Sequence, residues 1–222
     1  MKIIKYLIRL FRFGKNKNTT TEQTEIPKVK KINIDDYPID PALLINFDYN
    51  LVPEPVIEGN VDGKKIILVD DVVQTNILYT IDIKKINQLY SVDFLKEFCL
   101  VKCFGQYAGF TAYKYAVLEK HQVDYGIFDL TLGHIINVDN NILEVDGIDI
   151  CYAIKQVSPK MNFLLCTAHT LNKNSLTMKK FSKKCLNGLN VKLSSRYMNK
   201  NSDRYSRIGS MVYPQYNQNA NI

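Results

Sequence analysis

The chain has 222 residues, of which 46% are hydrophobic and 23% charged, enough for one domain with a proper core plus extra segments. Its net charge of +7 is uneven: residues 1–18 carry six Lys or Arg and no acid, residues 179–222 carry nine and one acid, and the body between is left at −7. That excludes a uniformly basic nucleic-acid binder, the lack of about 18 successive apolar residues excludes a transmembrane helix, and five cysteines without a C-x-x-C pair predict reduced thiols in a cytoplasm.

Residues 1–14, MKIIKYLIRLFRFG, have a helical rhythm. Lys2, Lys5, Arg9 and Arg12 recur at steps of three or four, which stacks them on one face. Ile3, Ile4, Leu7, Leu10 and Phe11 are among the apolar residues covering the rest. Such a basic amphipathic helix suits an anionic membrane surface on the cytoplasmic side, or a protein partner. Arg9 and Arg12 break the apolar core that a secretory signal needs. Residues 15–62 read as linker and irregular extension. KNKNTTTEQTE lacks apolar anchors, and PALLINF and LVPEPVIEG set apolar groups among prolines, as irregular chain or an edge strand does.

From residue 63 a different pattern begins and is predicted to run as one domain to residue 212, with a flexible tail at 213–222. Ile66, Ile67, Leu68 and Val69 form a buried strand that ends in two carboxylates, Asp70 and Asp71. A long helical region follows, up to about Phe98. A second strand lies near residues 100–104, a helix at 111–122 and a third strand, DYGIFDL, ending at Asp129. HIINVDNNILEV at 134–145 is rich in β-branched residues around a DNN turn, which predicts a β-hairpin. DGIDICYAIKQV is helical, with Ile148, Cys151, Ile154 and Val157 on one face. A fourth strand ends at Thr167. A helix over 174–188 and a fifth strand, LNVKL, at 189–193 complete the series. Strands alternating with helices predict an α/β fold, a doubly wound five-stranded parallel sheet covered on both faces.

The strand ends carry the chemistry. Asp70 and Asp71 close the first strand, Asp129 the third and Thr167 the fourth, and Lys192 lies in the fifth. In a doubly wound sheet these ends gather at one edge, where ligands bind. Three carboxylates suit a hard divalent cation such as Mg2+. A lysine and a hydroxyl complete a cradle for a phosphoryl group.

The chain here resembles the receiver domain of two-component response regulators. The resemblance covers residues 64–193 and rests on ILVDD, VDYGIFDLTLG, DGIDICYAIKQVSPKMNFLLCTA and the lysine of NGLNVKL. It implies that Asp129 is the phosphoacceptor, that Asp70, Asp71, Asp129 and the backbone carbonyl of Thr131 hold Mg2+, and that Thr167 and Lys192 hold the phosphoryl oxygens. It further implies a phosphorylated signalling protein with at most self-phosphorylation and autodephosphorylation activity. Its partners would be a sensor histidine kinase or phosphotransfer protein, with a homodimer as another option. No DNA-binding domain is evident after Lys192. The chain departs from the family at Leu193, where proline is usual, at Leu189, where an aromatic residue is expected, and in the insertion after Gly133. His169, two residues after Thr167, stands where the family controls the access of water to the phosphoryl group. Two other readings fit parts of the pattern. One is a receiver-like scaffold that is never phosphorylated. The other is a phosphoribosyltransferase-like enzyme, in which IILVDDVVQT would be a ribose-phosphate strand, although Asn76 stands where its phosphate loop needs glycine.

Overall fold

The computed structural model describes residues 39–138, 141–168, 197–200 and 204–214. The expected helix at 1–14, the linker to residue 38, His169, the helix at 174–188, the strand at 189–193 with Lys192, and the tail beyond 214 lie outside the described residues.

In chain order the strands are β1 (Val56–Gly59), β2 (Lys64–Asp70), β3 (Phe98–Phe104), β4 (Tyr125–Asp129), β5 (His134–Val138), β6 (Asn141–Val145), β7 (Asn162–Thr167) and β8 (Tyr197–Asn199). Six of them make the central sheet, in the spatial order β1-β3-β2-β4-β7-β8. Five are parallel, and β1 runs antiparallel to β3 at the edge. The parallel five follow the order 2-1-3-4-5 of flavodoxin-like sheets. Among the described residues the sheet has six strands: β2, β3, β4 and β7 are four of the five predicted, the predicted fifth at 189–193 lies outside the described residues, β8 takes the fifth parallel place, and β1 is added at the edge. The added strand, VIEG, is too short and too close to prolines to show a strand period of its own. It is tied in through Glu58, which ion-pairs with Lys102 of β3 at 2.7 Å and also with Lys84.

Burial on both faces explains why the parallel strands read as continuous apolar runs. Successive residues point to opposite sides. Ile66 and Leu68 of β2, Ile127 of β4 and Leu164 of β7 join one core, whereas Ile67, Val69, Phe128 and Leu165 join the other. The first core is covered by α1 (Val73–Leu89), through Tyr79, Ile83 and Ile86, by Phe94 of the short α2 (Phe94–Glu97), and by Ile208, Met211 and Val212 of a C-terminal helix. The second core is covered by α3 (Ala108–Tyr113), which runs on into a π turn at Lys114–Leu118, and by α4 (Gly147–Val157). The C-terminal helix is α5 (Arg204–Val212). The single helix expected up to Phe98 is split in two, because Ser91 takes a left-handed backbone (φ 54°) just after α1 and ends it as an αL residue does.

Residues 39–62 pack on the domain. Ile39, Leu44 and Val52 are buried, Phe47 stacks on Phe110 with ring centroids 3.9 Å apart, and the Tyr113 hydroxyl donates to the Pro41 carbonyl at 3.1 Å. The predicted hairpin is present as β5 and β6, paired antiparallel with His134 opposite Val145. Its inner residues His134, Ile136 and Val145 are buried while Ile135 faces out. Asp146 and Asp149 then form a capping box that starts α4, and Asp149 also accepts from the Ile39 N–H at 2.8 Å.

Candidate functional site

Each parallel strand delivers its last residue to the same edge. Asp70 ends β2 and is fully buried. Its Oδ1 accepts from the Val72 N–H at 3.0 Å, a local turn that redirects the chain from β2 into α1. In the first turn of α1, the Asn76 amide donates to the carbonyls of Asp70 (3.2 Å) and Cys103 (3.3 Å), which pins the ends of β2 and β3 together. The Asp71 side chain is exposed at the rim, while its carbonyl accepts from the Gly105 N–H at 3.1 Å. Asp129 ends β4, 5% exposed, and its Oδ1 faces the Thr131 N–H at 3.4 Å. Thr131 itself is exposed, and Thr167 at the end of β7 is buried.

Among the described residues, the cation that holds this edge together is Lys200. It follows directly on β8, and its Nζ donates to Asp70 Oδ2 at 2.7 Å and to Asp129 Oδ2 at 2.9 Å. Its backbone N–H donates to the Thr167 carbonyl at 3.1 Å. The structure therefore brings together Asp70, Asp129 and Thr167, with Asp71 and Thr131 at the rim. Lys192 lies outside the described residues, and the lysine found at the end of the fifth parallel strand is eight positions further on. Little in the sequence marks Lys200. β8 is only three residues long, so it adds no apolar run of the kind that identifies a buried strand.

Two further groups escape sequence reading. The Tyr79 hydroxyl donates to Asp70 Oδ2 at 3.3 Å, and the Cys166 thiol donates its one proton either to the Tyr79 oxygen at 2.8 Å or to the Phe128 carbonyl at 3.1 Å. Both look like ordinary core positions, Tyr79 recurring with Ile83 and Ile86 at helical spacing on α1 and Cys166 lying in the apolar run of β7. The spatial meeting alone gives the hydroxyl its role.

The charges interact strongly. Burial pushes the Asp129 carboxyl up to about 6, with Asp70 adding to the rise and Lys200 opposing it. Burial also raises Asp70, against the pull of Lys200. Burial works against the Lys200 ammonium, but the two carboxylates prevail and its pKa moves up. His134 of the hairpin lies at the same end. Its Nε2 accepts from the Gly109 N–H at 2.9 Å and its ring stacks on Phe110, and burial pushes its pKa down to about 4 against the nearby Asp71. His134 is therefore a neutral fastener between the hairpin and α3.

The carboxylates of Asp70 and Asp129 come together here and are oxygen donors of the kind a hard cation takes, while the exposed Asp71 is not part of that close group. The Cys166 thiol lies within 4.8 Å of the Asp70 and Asp129 carboxylates. Burial raises its pKa, and Tyr79 and Phe128 engage it, so it stays a core thiol. The segment after Asp71 is helical from Val73, with the Asn76 amide used on two carbonyls. No phosphate loop of the phosphoribosyltransferase kind follows the paired acids.

No protein-family model matches the chain, and no curated protein matches it. Among solved structures, the chain is similar to the RcsB response regulator of Salmonella typhimurium, at 16% identity and a TM-score of 0.42, covering 71% of this chain and 62% of that one. It is also similar to a CheY-like response regulator receiver domain protein from Methanospirillum hungatei, at 16% identity and a TM-score of 0.40, over 71% of this chain and 97% of that one. The BeF3-activated DrrB receiver domain matches at 16% identity and a TM-score of 0.38, over 68% and 97%.

Proposed function

We propose that the domain is a receiver-like signalling module phosphorylated on Asp129. The observation that supports this most directly is one lysine bridging two strand-end carboxylates at the ligand-binding edge of a sheet ordered 2-1-3-4-5. In the proposed step an Asp129 carboxylate oxygen attacks phosphorus. A new O–P bond forms as the bond to the donor's leaving group breaks, and the leaving group keeps that electron pair. The Lys200 ammonium offsets charge on the phosphoryl oxygens, and the Thr167 hydroxyl donates to one of them. Asp70, Asp71, Asp129 and the Thr131 carbonyl would hold Mg2+, which would supply the remaining positive charge that three carboxylates and a phosphoryl group require.

Acetyl phosphate with Mg2+ should label the wild-type chain with a hydroxylamine-sensitive phosphate, and Asp129→Asn should lose it. Full labelling of Asp129→Asn moves the phosphate elsewhere. No labelling of either chain favours the scaffold that is never phosphorylated.

The donor would be a histidine kinase or phosphotransfer protein, and α1 offers it a surface. Beside the exposed Asp71, the helix presents Val73, Ile77, Leu78 and Ile81, each at least 40% exposed. An uncharged apolar face of this kind is unusual for a surface helix. The double variant Ile77→Glu, Ile81→Glu should keep labelling by acetyl phosphate and lose phosphotransfer from a protein donor by at least about tenfold, the loss for 1.4 kcal/mol of binding. Unchanged transfer from the protein would place the docking surface elsewhere. Among the described residues no helix is long and apolar enough to cross a membrane. The sequence of residues 1–14 supports a peripheral tether, to be tested by comparing partition onto anionic vesicles with and without them.

A further inference from the structure

We infer that Arg204, held by Asp82, is a positioning residue that fixes Lys200 on the two carboxylates; this rests on Lys200 acting in the phosphoacceptor site proposed above. Lys200 needs such support. It follows a strand of three residues that pairs with β7 on one side only, at the edge of the described sheet. Its long side chain must reach two buried acids at once. Its N–H is anchored to the Thr167 carbonyl. Its carbonyl is anchored by Arg204, whose Nη1 donates to it at 3.0 Å. The same guanidinium donates through Nε to the Asp82 carboxylate.

Asp82 is buried on α1, three residues beyond Tyr79, which binds Asp70. One helix therefore steadies both sides of the Asp70–Lys200 contact. It holds the acid through Tyr79 and Asn76, and the lysine through Asp82 and Arg204. The choice of arginine follows from geometry. A planar guanidinium can donate in two fixed directions at once, to a carboxylate and to a backbone carbonyl, where a lysine is a single point charge on a flexible stem. Replacing both partners of a buried ion pair costs little, whereas removing one leaves the other charge uncompensated. Arg204→Met combined with Asp82→Asn therefore releases the Lys200 backbone without stranding a buried charge, and each single variant is read beside that double variant.

The test uses the full-length chain and reads Lys200 directly. Amine acetylation with acetic anhydride, followed by peptide mass spectrometry, should find Lys200 protected in the wild type, where it is 8% exposed. Arg204→Met should raise Lys200 acetylation and lower the rate of Asp129 phosphorylation by acetyl phosphate, each by about tenfold, within the range that misplacing a catalytic group produces. Asp82→Asn should act in the same direction, and the double variant should do no more than the stronger single one, as members of one unit do. Tyr213→Phe is the control for general loosening. It removes a hydrogen bond of 2.5 Å between Tyr213 and Asn87 of α1 without touching Lys200, and it should leave Lys200 protected. Unchanged acetylation and rate in Arg204→Met would overturn the inference, as would equal exposure of Lys200 in Tyr213→Phe. If the wild type takes no phosphate, the reading of the site fails, and Lys200 acetylation still decides whether Arg204 positions it.

Discussion

Lys200→Met is expected to destabilise the fold by about 3–5 kcal/mol near neutral pH, the cost of leaving a buried charge without its partner. The lysine is the shared counter-ion of Asp70 and Asp129, at 2.7 and 2.9 Å, and both acids are buried. Methionine keeps most of the volume and removes the charge. Tyr79 and the Val72 N–H still serve Asp70, but nothing among the described contacts replaces the cation.

The loss should depend on pH in a defined direction. Asp129 already titrates at about 6 in the fold, against an ordinary value of 3.8, chiefly through burial. A carboxyl whose pKa is raised on folding binds its proton more tightly in the native state. The associated stability is fully present below the ordinary value and is lost as pH rises through the folded value. The wild type should therefore lose some stability as pH rises from about 4 to about 6 in the absence of divalent cations. Without Lys200, which holds the value down, the decline should be larger and extend to higher pH. Urea unfolding of both chains across this range is the measurement. A variant as stable as the wild type at pH 7, with the same pH profile, would mean that Lys200 does not pair with the two acids in solution.

Gly147→Ala should also be severe, at about 3 kcal/mol or more, the upper range for forcing atoms into a packed interior. In most helices this change helps, since alanine is favoured over glycine by about 1 kcal/mol. Here the sign reverses. A Cβ on Gly147 would sit 1.6 Å from the carbonyl oxygen of Asp129 and 2.7 Å from its carbonyl carbon. Both neighbours are backbone, so no rotamer relieves the clash. Either α4 lifts off or the end of β4 moves, and the second outcome shifts Asp129 itself. Urea unfolding should show the lost stability, and acetyl phosphate labelling should slow in parallel. A Gly147→Ala chain as stable as the wild type would show that α4 does not rest on the Asp129 carbonyl.

Much of this architecture is legible in the residues because buried parallel strands must be apolar on both faces. Residues 66–69 and GIF before Asp129 are such runs, and a carboxylate that ends one is conspicuous. Hence Asp70, Asp71, Asp129 and Thr167 can be placed at one sheet edge from sequence alone. The hairpin at 134–145 is legible for a related reason, as two β-branched segments flank turn residues that tolerate it. Other features depend on contacts that no local pattern encodes. β1 is an edge strand of four residues and takes its place by pairing with β3, 40 positions away in register from Gly59 to Cys99. The ion pairs of Glu58 with Lys84 and Lys102 hold it there.

The residues of the chain by themselves determined the layered α/β plan and the acidic side of the site, because strand burial and helix period are local rules written in successive side chains. Tertiary structure alone shows that Lys200 pairs with both strand-end acids. Lys200 follows a three-residue strand with no apolar run, and its role comes from distances of under 3 Å to acids 130 and 71 positions earlier. Tyr79, Asp82 and Arg204 belong to the same class. Each sits at an ordinary helical position, and each gains its function from what the fold sets opposite it, since a buried charge is tolerated only where partners from other elements converge on it.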